Sequence, residues 1–328
     1  MKILILTHTE VEELLPVSEC IPIMAEALAD LSRGKVYQPL RMVITPPHAE
    51  GDMALMPSYR SGERAAYGVK TVCFFPGNPA KGLDSHQGSV MLFSGETGEL
   101  AALMNASAIT AIRTAAVSGV ATRLLARDDA SELAIIGAGV QARAHIEAMA
   151  CVRPIKRARV ASLRVENARK FAEEFGRRYS FPIEPVESVE AAVRGADLIV
   201  TATTAAEPIV MLEWISPGAH LNVVGSSIPT TREVDSVTMA GASLFVDRRE
   251  STINEGGDYL FALREGAIGP DHIKGEIGEL LIGEKRGRTS PEEITLFKSL
   301  GLAVEDLASA DYLYRKATRT GAGTWVAF

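Results

Sequence analysis

The sequence has little cysteine, no excess of positive charge and no long hydrophobic run, and each absence excludes a class of protein. Its three cysteines are Cys20, Cys73 and Cys151. They lie far apart, form no CxxC pair and no metal-ligand spacing, and an odd number is a poor disulfide framework. No metal is expected, and a reducing, cytoplasmic setting fits best. Asp and Glu outnumber Lys and Arg, 41 to 34, giving a formal net charge of −7. A broad nucleic-acid surface needs clustered positive charge, so no nucleic-acid partner is expected. The apolar run near the start, Ile3-Leu4-Ile5-Leu6, is too short for a signal peptide. No stretch reaches the roughly 18 uninterrupted apolar residues of a bilayer span, so no membrane partner is expected. Internal repeats and low-complexity segments are also missing.

What is there is globular material. The 328 residues are 47% apolar and 23% charged. At roughly 150 residues per domain, two domains are expected. Residues 10–33 carry apolar side chains at three- and four-residue steps, which predicts helix, interrupted at Pro16 and Pro22 and closed by Gly34. From Pro39 to about Phe93, short alternating runs separated by Gly, Pro and Asn predict an antiparallel sheet. The turn Gly95-Glu96-Thr97-Gly98 joins Ser89–Phe93 to Leu100–Met104 as a hairpin. Ala106–Leu125 predicts a long buried helix, about 30 Å at 1.5 Å per residue. Beyond Asp129 strands alternate with helices (Leu133–Ile136, Arg159–Ala161, Asp197–Thr201, His220–Val224, Ser243–Val246), which predicts a parallel sheet with crossovers. Glu292–Leu300 and Val304–Ala317 return to helix, and the tail from Thr318 is an arm or loose.

Gly137-Ala138-Gly139-Val140-Gln141-Ala142 fits G-x-G-x-x-G/A. Alone the pattern also fits a tight turn in another α/β protein. Here an apolar strand ends at Ile136 and a helix opens within the turn, the context of a dinucleotide site. Gly137 permits the turn, Gly139 lets backbone approach a pyrophosphate, and the helix N-terminus offers unpaired N–H groups to it. The next strand end, Val160-Ala161-Ser162-Leu163-Arg164, lacks the acid that would hold a ribose diol. Ser162 and Arg164 are candidates for a 2′-phosphate, so NADP(H) is preferred and NAD(H) possible. Arg164 also reads as a solvated surface arginine.

Three cations stand in apolar segments: Arg41 in Leu-Arg-Met-Val-Ile, Lys70 in Val-Lys-Thr-Val, and Arg113 in Ala-Ile-Arg-Thr-Ala-Ala. A charge buried unpaired is costly, so each is either paired, reaching a ligand, or exposed. Converging, they would suit a substrate carboxylate. His8, His48, His145, His220 and His272 have no partner pattern.

The chain resembles the ornithine cyclodeaminase/mu-crystallin family. The matching stretches are Gln38–Arg41, Tyr67–Lys70, Ser85–Gln87, Ile109–Ala116, Ile136–Ala142, Gly218–Ser227, Arg232–Asp235 and Phe297–Gly301. The resemblance implies a Rossmann-type doubly wound parallel sheet domain at 116–301. It also implies an α+β substrate and dimerisation domain at 1–115, built on an antiparallel sheet and completed by C-terminal helices at 302–328. A homodimer is expected. Arg41, Lys70 and Arg113 match the family's substrate-carboxylate cluster and are the catalytic candidates. Ser85, His86, Arg113, Val140, Gln141 and Ser299 match cofactor contacts, and Thr203 and Val224 complete the cofactor set with Gly137, Gly139, Ser162 and Arg164. Ser227 stands where cyclodeaminases carry a proton-shuttling aspartate, and a serine is no base near neutral pH without a partner. Ser227 and Glu255 are therefore read as substrate contacts, Glu255 also fitting a plain loop residue. Asp235 is read as a structural cap. The activity implied is NAD(P)H-dependent reduction of α-imino acids, with Lys70 as proton donor or carboxylate ligand. Alternatives are reductive amination of an oxo acid as in alanine dehydrogenase, ornithine cyclodeamination, and a non-enzymatic small-ligand binding protein.

Overall fold

A computed structural model describes residues 2–328. In chain order the first elements are β1 (Lys2–Leu6), α1 (His8–Leu14), α2 (Val17–Ser32), β2 (Val36–Tyr37), β3 (Met42–Ile44), β4 (Asp52–Arg60), β5 (Ala66–Phe74), β6 (His86–Ser94), β7 (Leu100–Asn105) and α3 (Ala106–Leu125). Next come β8 (Glu132–Ile136), α4 (Val140–Val152), β9 (Arg157–Ala161), α5 (Val165–Phe175), β10 (Ile183–Pro185), α6 (Val189–Val193), β11 (Leu198–Thr201) and β12 (His220–Val223). The chain ends with α7 (Ser236–Gly241), β13 (Ser243–Val246), α8 (Arg249–Glu255), α9 (Gly257–Arg264), β14 (Ile273–Glu276), α10 (Ile277–Leu281), β15 (Thr295–Lys298), α11 (Ala303–Thr320) and β16 (Thr324–Ala327). These divide into two compact units, Met1–Thr114 with Gly301–Phe328, and Ala115–Leu300.

The first unit is built on the sheet β16-β1-β7-β6-β5-β4-β2, with β3 also paired to β4. The β4 to β7 meander is antiparallel, as the alternating runs predict. The N-terminal run, too short to read as anything alone, becomes β1. It pairs parallel to β7 and antiparallel to β16, so the tail is an ordered edge strand. Helix α11 packs against α2 and against β5 and β4. Alternation along β5 buries Ala66, Gly68 and Lys70 on one side and leaves Tyr67 exposed on the other. Pro22 does not break the helix, contrary to expectation. It sits inside α2, and the interruption falls at Leu15 and Pro16 instead.

The second unit holds a wholly parallel sheet, ordered β10-β9-β8-β11-β12-β15-β13-β14. Its core strands are buried and mostly apolar, as expected where helices cover both faces, with His220, Asn222, Thr295 and Lys298 as buried polar exceptions. One sequence expectation is overturned here. Thr295–Lys298, read as part of a helix from Glu292, is a fully buried strand between β12 and β13. The order reverses between β8 and β11, and in open parallel sheets ligands bind beyond the strand ends at such a switch point. Helix α3 is long and apolar enough to cross a membrane, yet 78% of its most apolar window is buried inside the protein.

Candidate functional site

In the first unit, Lys70 lies mid-strand on β5, between Met56 of β4 and Val90 of β6. Its position on the helix-facing side places it beneath α11, whose first turn carries two buried acids, Glu305 and Asp306. Lys70 Nζ lies 2.8 Å from Asp306 Oδ2 and donates to Thr110 Oγ1 at 3.4 Å. One helical turn on from Thr110, Arg113 reaches the same acids, with Nη1 2.6 Å from Glu305 Oε2 and Nε 3.2 Å from Asp306 Oδ1. Arg41 Nη2 donates to the Gly301 carbonyl at 3.3 Å. Gly301 has φ +80°, and a Cβ there would stand 2.3 Å from Arg113 Nη1. The three cations predicted from the sequence therefore converge around the entry to α11. Side-chain exposures of 3% for Lys70, 5% for Arg113, 0% for Glu305 and 1% for Asp306 make this an interior cluster. Burial lowers the Lys70 pKa from 10.5 to about 8; Asp306 pulls it back up while Arg113 and Arg41 press it down.

Ser85 and His86 also belong to this unit, at the start of β6. Ser85 Oγ is 3.1 Å from His86 Nδ1, and the imidazole lies against Phe74 with ring centroids 4.9 Å apart. Glu305 and Asp306 were missed by sequence reasoning. Acids in a first helical turn ordinarily serve the helix dipole at the surface, so nothing local marks them as buried.

In the second unit, β8 ends at Ile136 and the glycine turn follows. Gly137 has φ +113°, and a Cβ there would sit 2.4 Å from the Ala202 carbonyl oxygen. Gly139 is the N-cap of α4, with no side-chain cap, and a Cβ there would meet nothing within 4 Å. The first N–H groups of α4 thus open onto space, and among the described residues no side chain caps them, which suits a phosphate. Val140 is exposed and Gln141 half-buried at this opening. Thr203 and Val224 follow β11 and β12, and Ser299 follows β15 and donates its N–H to the Val223 carbonyl at 3.0 Å. The cofactor candidates of this unit therefore gather at the C-terminal ends of β8, β11, β12 and β15. Ser162 and Arg164 stand after β9, Arg164 exposed at the N-cap of α5. Arg113, Ser85 and His86 lie in the other unit.

Ser227 belongs to the segment after β12, which is tied down by the Ser226 hydroxyl, donating to the Thr231 carbonyl and 2.9 Å from its hydroxyl. Glu255 is the last residue of α8, not a loop residue. Asp235 caps α7, accepting the Thr238 N–H at 2.9 Å. Sequence reasoning also missed Glu233, Asp258 and Lys298, each at most 1% exposed. Lys298, in the apolar run Thr-Leu-Phe-Lys, carries the same signal that singled out Arg113. Burial pushes the Glu233 carboxyl up, with Lys298 acting against it.

Replacing Gly137 with Ala forces an L side chain into left-handed backbone against a carbonyl. Such strain costs about 1–3 kcal/mol. Gly137→Ala should lower Tm and weaken dinucleotide binding about tenfold or more, measured by cofactor fluorescence titration; unchanged binding would remove the turn from the site.

A parallel sheet with an uncapped glycine turn, joined in one chain to a sheet with a buried cation cluster, defines a two-unit dinucleotide-binding protein of the oxidoreductase class. The chain belongs to the ornithine cyclodeaminase/mu-crystallin family, which matches residues 1–321. It is 42% identical over 297 residues to ketimine reductase mu-crystallin of Mus musculus, covering 90% of each chain. Its fold is similar to that of Thermococcus litoralis Δ1-pyrroline-2-carboxylate reductase in complex with NADH and L-proline. There the TM-score is 0.95 and the identity 42%, covering 98% of this chain and 99% of that one. It is also similar to an archaeal alanine dehydrogenase dimer with bound NAD, with TM-score 0.93, 35% identity and full coverage of both chains.

Proposed function

We propose that this protein is an NAD(P)H-dependent reductase of α-imino acids, of the Δ1-pyrroline-2-carboxylate or Δ1-piperideine-2-carboxylate type. The observation that carries the reading is the interior cluster of the first unit. Three cationic side chains, Arg41, Lys70 and Arg113, gather there, the chemistry that binds a substrate carboxylate, and Arg113 and Arg41 are assigned as the donors that hold it. Fixing the carboxylate fixes the adjacent imine carbon, and such positioning is worth several kcal/mol of the barrier. A bound nicotinamide supplies the hydride that adds to that carbon. Lys70 holds the proton that the nitrogen must gain, and a pKa near 8 keeps the ammonium both populated and able to donate near neutral pH. Asp306 and Thr110 hold Lys70 Nζ in place. Ser227, where cyclodeaminases carry an acid, offers a hydrogen bond to substrate rather than a base. Glu255 is assigned to the substrate pocket on the family resemblance.

The second unit fits a dinucleotide: the uncapped N-terminus of α4 and the open space at Gly139 receive the pyrophosphate, and Val140, Gln141, Thr203, Val224 and Ser299 line the strand ends. Arg164, with no acid beside it on the β9 loop, favours NADP(H). Charge-assisted hydrogen bonds are worth about 1.5–3 kcal/mol. Arg164→Ala should therefore reduce the kcat/KM preference for NADPH over NADH by about tenfold or more, and an unchanged ratio would make Arg164 a surface residue. A homodimer is supported by the exposed apolar side chains of Tyr37, Met42, Val43, Ile44 and Tyr67 on the sheet of the first unit.

The deciding experiment follows the loss of reduced-cofactor absorbance with a panel of cyclic and linear imino acids, using NADPH and NADH in parallel. Silence with every imino acid would overturn the reading. Turnover only with an oxo acid plus ammonia would replace it with reductive amination, the reading that similarity to an alanine dehydrogenase favours.

A further inference from the structure

We propose that Glu233 is the positioning residue of the dinucleotide crevice, its buried carboxylate fastening Thr203 and Gly225 into one wall beside the glycine turn. The inference rests on the dinucleotide reading of that turn. Four donors converge on this one side chain. Oε1 accepts the Thr203 N–H at 2.7 Å and the Thr203 hydroxyl at 2.8 Å. Oε2 accepts the Thr201 hydroxyl at 2.7 Å and the Gly225 N–H at 2.6 Å. Two of these are backbone N–H groups, which can only donate, so the site is built for a carboxylate rather than an amide or an acid.

Glu233 is itself anchored. Its N–H and that of Val234 donate to Asp258 Oδ1 at 2.7 and 3.1 Å, and Asp258 Oδ2 lies 2.8 Å from Lys298 Nζ. Asp258 lies in the first turn of α9, and Lys298 ends β15. One buried chain of contacts thus ties together the ends of β11, β12 and β15. Its other end meets the turn, because the Ala202 carbonyl and the Thr203 methyl are what a Cβ on Gly137 would touch, at 2.4 and 3.5 Å. Glu233 does not itself reach the opening at Gly139. It acts through Thr203 and Gly225, whose backbone it sets.

The test compares wild type with Glu233→Gln. It measures Kd for NADPH and NADH by fluorescence, KM for the imino acid at saturating cofactor, and Tm. An amide presents N–H to two of the four donors, so the wall should loosen. The expected result is a Kd at least about tenfold higher for both cofactors, with KM for the imino acid moved less than about twofold, in a protein still folded at the assay temperature. If Glu233→Gln does not fold, Thr201→Val decides. It removes one donor and leaves the carboxylate and the other three, and it should raise both Kd values about threefold or more. A folded variant with wild-type Kd overturns the inference, as does a KM for the imino acid that rises in step with Kd. A wild-type chain that binds neither dinucleotide overturns the dinucleotide reading and this inference with it, whereas wild-type binding with unmoved variants overturns this inference alone.

Discussion

Lys70→Met is expected to lower kcat for an α-imino acid by about 10²–10⁴-fold, the usual contribution of a positioned acid, while dinucleotide Kd stays at the wild-type value. Met keeps most of the side-chain volume on β5 and removes the ammonium. The two roles open to Lys70 separate in the kinetics. A proton donor acts only in the transition state, so kcat and kcat/KM fall together; a carboxylate ligand also holds the ground state, so KM rises. Unchanged turnover would remove Lys70 from the mechanism. The pH profile gives a second reading. The ammonium is the donating form, so wild-type activity should fall as pH rises through about 8, where Lys70 loses its proton. Asp306 raises the Lys70 pKa, so Asp306→Asn should move that descending limb to lower pH. Stability runs the other way. The folded pKa lies below the unfolded value of about 10.4, so between about 8 and 10.4 the unfolded chain binds more protons, and wild-type stability rises with pH across that window. Lys70→Met should abolish this increment, measured by urea unfolding at a series of pH values.

Local pattern carried the parts of the fold whose signals are local. The alternating runs of β4 to β7, the glycine turn after β8 and the alanine-rich α3 all follow from side-chain period and turn chemistry. The β15 strand did not, because Ile294, Leu296, Phe297 and Leu300 satisfy helical spacing as well as a buried strand, and a short apolar run cannot separate the two. The strands β1 and β16 are five and four residues long and stand at opposite ends of the chain. Their pairing is the most non-local contact in the molecule, and neither segment announces it. The site divides in the same way. Lys70, Arg41 and Arg113 stand out because each is a cation among apolar neighbours. Glu305 and Asp306 do not, because acids at a helix start are commonplace and only the packing of α11 on β5 buries them. The sequence thus marks the positive half of the cluster and hides the negative half, which holds up the proton affinity of Lys70.

The hidden half makes Arg113 the residue whose loss should cost most. Its guanidinium bridges Glu305 and Asp306 in the interior, at 2.6 and 3.2 Å, with every partner at most 5% exposed. Removing one member of a buried ion pair typically destabilises by about 3–5 kcal/mol, since the carboxylate left behind keeps its desolvation cost. Arg113→Met should therefore lower Tm by roughly 6–20 °C. It should also raise KM for the imino acid and lower kcat/KM by about a hundredfold or more, because the carboxylate loses a charged donor and its orientation. Calorimetry and steady-state kinetics report these losses separately, and the double variant Arg113→Met with Glu305→Gln divides their causes. Neutralising the acid as well relieves the buried charge, so Tm should recover by several degrees. Activity should not recover, because no donor has been returned to the substrate carboxylate. If kcat/KM rises together with Tm in the double variant, Arg113 acts only through the stability of the first unit, and Arg41 and Lys70 hold the carboxylate without it.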